Sequence, residues 1–236
     1  MVDLEIYWKD IDVSIDELLK KGYTVLPSIA GFDLDSVSED ILTAMGSKTF
    51  LEGSTPHLSF LDKIGVHTYL TPKLYDKAKS RFGYGGSADD SYNVARRVEP
   101  GNSKEQFRAH FDSHLFTMVL PIKIPAAVGQ NPAGELVAFF RARRFPRTEI
   151  ENLLGKALFK LFASESGLRR FSRNNEGFEY NFLDYRPVLF LGTSTFHTNK
   201  PVSIQCDSER LTLLAHFFDP SPGYGIGRVL RILRNR

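Results

Sequence analysis

At 236 residues the chain is long enough for one large domain or two small ones. Apolar residues at 42% and charged residues at 25% are ordinary for a globular protein and exclude a disordered or fibrous chain. Thirty basic side chains against 28 acidic ones leave a formal charge of +2, too small to select nucleic acid or a membrane surface as partner.

The single cysteine, Cys206, rules out an internal disulfide framework and a cysteine-rich zinc site, and points to a reducing, cytoplasmic compartment. The opening residues lack a basic segment followed by an apolar run, so no secretory signal is expected. No apolar stretch approaches the roughly 20 residues that span a bilayer. There is no internal repeat.

Taken in chain order, Ser14 and Glu17 stand at capping-box spacing ahead of Leu18 and Leu19, and Gly22 is a suitable stop, which predicts a short helix. Tyr23-Thr24-Val25-Leu26-Pro27 reads as a strand closed by proline. A second helix is expected from about Ser36 to Met45, with Val37, Ile41, Leu42 and Met45 on one side. A third starts at Thr71-Pro72, a cap residue before a proline. From 81 to about 100 the texture is that of a loop, with Gly83, Gly85, Gly86, Ser87, Asp89 and Asp90 crowded together between Tyr84 and Tyr92.

Four short apolar runs follow, at 116–120, 135–140, 187–191 and 211–217, with Pro and Gly between them. They predict an antiparallel sandwich or barrel. One helix interrupts them near 148–165. Thr148 and Glu151 form its capping pair, and Gly167 would end it. Ile150, Leu153, Leu154, Ala157, Leu158, Leu161 and Phe162 form one face, expected to bury against the sheet or to close over it as a lid.

Chemistry concentrates at three places. His110-Phe111-Asp112 is a His-x-Asp, and in an extended segment its two polar side chains share a face. They can take adjacent corners of one metal ion, or form a hydrogen-bonded pair with no metal. His197, beyond the run 187–191, is the candidate second imidazole. Two histidines and a carboxylate on one face of an ion leave three positions open, the facial triad of non-haem Fe(II) oxygenases. Thirteen residues after His197, Arg210 and Thr212 share a strand face, and a buried guanidinium with a hydroxyl suits the distal end of a dicarboxylate.

At these residues the chain resembles the Fe(II)/2-oxoglutarate-dependent oxygenase superfamily, through His110-Phe111-Asp112, the segment Thr195–Pro201 around His197, and Arg210-Leu211-Thr212. Lys20–Pro27 is similar to the start of its phytanoyl-CoA dioxygenase-like branch. The resemblance covers about 105–218, and the 84 residues between Asp112 and His197 are long for it, much of the excess being the helix near 148–165. It implies a mainly β, double-stranded β-helix (jelly-roll, cupin-like) core at about 105–218. The first 80 or so residues would flank that core, all within one domain over 1–236. It implies His110, Asp112 and His197 as iron ligands and Arg210, assisted by Thr212, as the 2-oxoglutarate site. Fe(II), 2-oxoglutarate and O2 would then hydroxylate a small molecule, giving succinate and CO2. Desaturation and ring formation stay open. Two other readings stand beside it: a cupin-like metal enzyme without 2-oxoglutarate, and a non-catalytic binding protein on the same fold.

Other residues carry two readings each. Arg108 shares the His110 face and would bind co-substrate or substrate, or lie at a strand end on the surface. His114 and His216 would each support the metal ligands or meet the substrate, or be packed core or channel histidines. The clusters Arg141/Arg143/Arg144/Arg147, Arg169/Arg170/Arg173 and the arginine-rich 227–236 are either a solvated basic face or receptors for an anionic substrate. The balanced net charge disfavours nucleic acid.

Overall fold

The computed structural model describes residues 2–102, 108–126, 129, 131–146 and 148–220. Gln106, Arg147 and the segment 227–236 lie outside them.

The protein is mainly antiparallel β-sheet with helices on either side. Six strands form the larger sheet in the order β1 (Tyr23–Val25), β7 (Val188–Leu191), β4 (Phe116–Lys123), β9 (Arg210–Phe217), β3 (Ser91–Val98) and β2 (Phe50–Glu52). Three form the smaller: β6 (Phe178–Tyr180), β5 (Leu136–Phe139) and β8 (Phe196–Asn199). The two sheets face each other across Val119, Val188 and Phe190 on one side and Leu136 and Ala138 on the other, with Phe182 between them.

Period-two alternation decides what faces the interior. Along β9, Leu211, Leu213, Ala215 and Phe217 join the core shared with the N-terminal helices. Arg210, Thr212, Leu214 and His216 turn the other way, between the sheets. Along β4, Met118 and Leu120 serve the helical side while Thr117 and Val119 look inward. The helices are α1 (Leu4–Trp8), α2 (Ile11–Lys21), α3 (Leu34–Met45), α4 (Thr55–Lys63) and α5 (Thr71–Phe82). Trp8, Ile15, Leu18, Ile41, Phe60 and Leu74 are their buried contributions.

Three elements differ from expectation. α2 begins a turn earlier than Ser14, because Ile11 completes a buried stripe with Ile15 and Leu18. Glu17 accepts from Lys21 and Thr24 instead of boxing a cap. α4 was not expected at all; its signal is Pro56 in the first turn, and it buries His57, Phe60 and Leu61. The 81–100 loop stops at Asp90, and the rest is β3, paired with β9 in unbroken register from Ser91↔Phe217 to Val98↔Arg210. Arg and Asn interleave with Val and Ala there, so no apolar run betrays the strand.

The interrupting helix is α6 (Glu149–Phe159), capped by Thr148 as expected, followed by a 3-10 turn (Lys160–Phe162) and α7 (Glu165–Ser172). Gly167 lies inside α7, whose cap Ser164 accepts from its N–H. The aliphatic stripe does not face the sheet. Ile150, Leu153, Leu154, Leu158 and Leu161 are 51–76% exposed. Phe159 and Phe162, with Leu168 and Phe171, cover Phe139 and Phe196 of the smaller sheet instead. Aromatic rings carry more buried area per residue than the aliphatic stripe. The inner side also meets polar demands: Asn152 accepts from Arg143, and Lys156 donates to Ser113.

Candidate functional site

His110-Phe111-Asp112 is not part of a regular strand; a single β-bridge holds it. The His110 N–H donates to the His197 carbonyl at 3.0 Å, and the His197 N–H returns to the His110 carbonyl at 3.1 Å. Residues paired this way project side chains to the same side. Their rings accordingly stand 4.6 Å apart. Asp112 is fixed by its own N–H, which donates to the Gly192 carbonyl at 3.2 Å. Glycine is required at 192, since a Cβ would come within 2.7 Å of both the His114 carbonyl and Thr117 Oγ1.

The three side chains converge. His110 Nε2 lies 3.4 Å from Asp112 Oδ1, His197 Nε2 lies 3.7 Å from Asp112 Oδ2, and all three ligand atoms fall within 4.8 Å of one another. Two donors about 2.1 Å from one ion at a right angle stand about 3 Å apart, so the His110–Asp112 and His197–Asp112 pairs lie about 0.4 and 0.7 Å beyond that spacing. Both imidazoles are oriented for a metal. His110 Nδ1 bonds the Arg108 carbonyl at 2.7 Å and His197 Nδ1 the Thr195 carbonyl at 3.2 Å. A carbonyl only accepts, so each Nδ1 carries the proton and each Nε2 offers a lone pair.

Protonation of His197 and Asp112 suits the same role, whereas at His110 the neighbouring Asp112 carboxylate outweighs burial and raises the imidazole pKa. Burial pushes the His197 imidazole down to about 4, so it is neutral at pH 7. Burial alone would raise the Asp112 carboxyl, but the imidazoles of His197, His216 and His110 outweigh it and hold the group well below the usual carboxylate range. Metal ligation needs neutral imidazole and ionised carboxylate. Thr117 Oγ1 donates to Asp112 Oδ2 at 2.6 Å and lies 3.0 Å from His216 Nδ1. With its proton on Asp112, the hydroxyl accepts from His216, so the order His216, Thr117, Asp112 runs one way.

The cluster opens on a cavity of about 750 Å³. Val119, Leu136 and Leu214 make its apolar wall, and Tyr92, Arg96, Arg108, Lys160 and Asn199 bring the polar groups. Arg210 is 4% exposed and has no carboxylate within 4 Å among the described residues. Its guanidinium lies beside Asn199, whose amide oxygen, turned inward, accepts from Nη1 and Nη2 at 3.0 Å each. Burial, then repulsion from Arg96, lowers its pKa to about 9, which leaves it charged at pH 7 and short of a counter-ion. Asn199 is two residues along β8 from His197, about 6.6 Å. Thr212 is buried on the same face of β9, in register with Arg96. Arg108 is exposed, with its side chain on the cavity wall.

Four residues of this site had no assigned role in the sequence: Thr117, Asn199, Arg96 and Lys160. Alternation along β3 (Tyr92, Val94, Arg96) and β8 (His197, Asn199) is the signal that places two of them inside. His114 lies in a bend, half-buried, its ring stacked on Tyr92 at 5.9 Å and 5.3 Å from that of His216. His57 is fully buried in α4, far from the site in sequence, and bonds Ser54 at 2.8 Å.

No protein-family model matches the chain, and no curated protein does. Solved structures do. A prolyl hydroxylase from Trichoplax adhaerens, in complex with a hypoxia inducible factor peptide fragment, superposes with a TM-score of 0.54 at 15% identity, over 96% of this chain and 94% of that one. A prolyl 4-hydroxylase from Phytophthora capsici gives 0.58 at 15% identity, over 95% and 68%. The chain has their jelly-roll fold. The non-heme alpha ketoglutarate dependent carbocyclase SnoK, from nogalamycin biosynthesis, shares it at a TM-score of 0.52 and 10% identity, over 88% and 83%.

Proposed function

We propose that this protein is an Fe(II)- and 2-oxoglutarate-dependent oxygenase that hydroxylates an aliphatic C–H of a small molecule. One observation carries the reading. Two oriented imidazoles and an ionised carboxylate line one cavity with Asn199, and beside Asn199 lies the buried Arg210 guanidinium, which has no carboxylate within 4 Å among the described residues. A metal site alone accounts for the first half of that arrangement and leaves Arg210 without a purpose.

His110, Asp112 and His197 would hold the iron. With 2-oxoglutarate and O2, the iron would supply oxidative decarboxylation to succinate and CO2 with transfer of an oxygen atom to the substrate. The chain's own residues do the rest. Arg210 and Asn199 bind the distal carboxylate of 2-oxoglutarate, with Thr212 closing the pocket beneath it. Val119, Leu136 and Leu214 keep water from the chain between the two carboxylates. Thr117 and His216 fix which Asp112 oxygen faces the metal. Arg108 and Lys160, on the cavity wall, meet the primary substrate. Among the described residues no helix is long and apolar enough to cross a membrane; a cytoplasmic location belongs to the same proposal. Lys20–Pro27, similar to the phytanoyl-CoA dioxygenase-like branch, forms the end of α2 and β1 at a sheet edge and contributes nothing to the site.

The reading is tested by incubating the protein with Fe(II), ascorbate and 2-oxoglutarate in air and measuring succinate. Succinate above the level of the Asp112→Ala variant is expected; equal levels with both proteins folded would count against it.

A further inference from the structure

A second cavity system shares no lining residue with the metal cavity. Two adjoining clefts, of about 580 and 670 Å³, share Arg81, Phe82, Arg143, Arg144 and Phe145. Lys20 and Arg141 complete the rim of the first. Five cations thus meet two acids, Asp16 and Glu151, and Asp16 faces Lys77 at 3.5 Å. Lys20, Arg81 and Arg144 have no carboxylate within 4 Å among the described residues. The floor is aromatic: Phe82 and Phe145 pack with ring centroids 5.3 Å apart.

A solvated basic face spreads its charges into water. Here they converge on an apolar floor, and two are held in place. Arg143 donates through Nε to the Thr193 carbonyl at 2.7 Å and through Nη2 to Asn152 at 2.9 Å, with its guanidinium 4.1 Å from the Phe111 ring. Arg141 sits at φ 54, a conformation that side-chain-bearing residues adopt at a cost, and its guanidinium donates to the Leu19 carbonyl. Fixed cations beside exposed ones, over a hydrophobic platform, suit an anion with a planar body.

We propose that this groove binds a phosphorylated ligand with an aromatic body, of the nucleotide type. Arg81 and Arg144 clamp the phosphates, joined by Lys20, and the ring rests on Phe82 and Phe145. The site is separate from the metal cavity and does not depend on the oxygenase reading. Arg143 is the link between them, since it packs on the residue between His110 and Asp112.

ADP and inorganic pyrophosphate are titrated into the protein by calorimetry at 50 and 300 mM salt. ADP is expected to bind more tightly than pyrophosphate, with affinity falling as salt rises. The double variant Arg81→Gln/Arg144→Gln is expected to weaken ADP binding at least tenfold. Arg169→Gln/Arg170→Gln, on exposed positions of α7, is expected to leave it within twofold. Failure of ADP to bind at low salt would overturn the proposal. So would binding indifferent to Arg81 and Arg144, or equal loss in the α7 variant. Pyrophosphate binding as tight as ADP would refute the aromatic platform.

Discussion

Replacing Thr117 by Val removes one hydroxyl and keeps the branched shape, so the structural change is confined to a hydrogen bond. That bond is short, 2.6 Å, and ends on a carboxylate that is 8% exposed. A hydrogen bond to a buried charged group contributes about 1.5–3 kcal/mol. At about 1.4 kcal/mol per decade, this corresponds to a ten- to hundredfold change in an equilibrium constant. The same range follows independently from removing groups that orient metal ligands, which costs about 10–100-fold in affinity. The variant also breaks the chain from His216, whose Nδ1 then faces the carboxylate directly from 3.7 Å. Titrating Co(II) or Fe(II) into wild type and Thr117→Val at pH 7 should therefore show a ten- to hundredfold rise in Kd for the variant. An affinity within twofold of wild type, in a folded variant, would refute the view that Thr117 sets the Asp112 geometry.

Arg210→Met should raise the 2-oxoglutarate concentration needed for half-saturation thirtyfold or more, from about 2–5 kcal/mol for a buried charge pair, while metal affinity stays within twofold; comparing the two titrations checks it. The same variant should lose no thermal stability, because it removes a buried cation that lacks a counter-ion in the free protein, and a melting curve reads this directly. Leu158→Ser on the outer side of α6 should change stability by less than about 0.5 kcal/mol, whereas Phe196→Ala in the smaller sheet should cost about 3–5 kcal/mol; denaturant melts separate the two. Burial lowers the His57 pKa. The unfolded chain therefore binds a proton more readily as pH falls below the ordinary histidine value, and stability falls with it. His57→Leu should shrink the loss of melting temperature between pH 7 and pH 5, measured against wild type.

Much of the site was legible because its residues mark the sequence locally. His-x-Asp is visible as a spacing, and Arg210 and Thr212 open an apolar run whose alternation puts them on one face. What brings His197 to His110 is a long-range pairing over 87 positions, which no local pattern encodes. Thr117 and Asn199 were hidden for another reason. A threonine and an asparagine in strands are ordinary, and only the tertiary neighbours, a buried carboxylate and a buried guanidinium, give them work. α6 shows how periodicity misleads. Its aliphatic stripe has the spacing of a buried face, yet Phe159, off that stripe, and Phe162, at its end, with Arg143 and Ser113 as polar partners, turn the helix over. β3 failed differently, since a strand whose inward face lines a polar cavity carries Tyr92 and Arg96 where a core strand would carry leucines.

The central claim is that metal ligands and a dicarboxylate receptor serve one centre. Fe(II) is titrated into anaerobic, metal-stripped protein containing 2-oxoglutarate, and the weak visible charge-transfer band of chelated Fe(II)–2-oxoglutarate is followed. The account predicts a band in the wild type and its loss in both His110→Ala and Arg210→Ala. No band in folded wild-type protein, or a band that survives in Arg210→Ala, would contradict it.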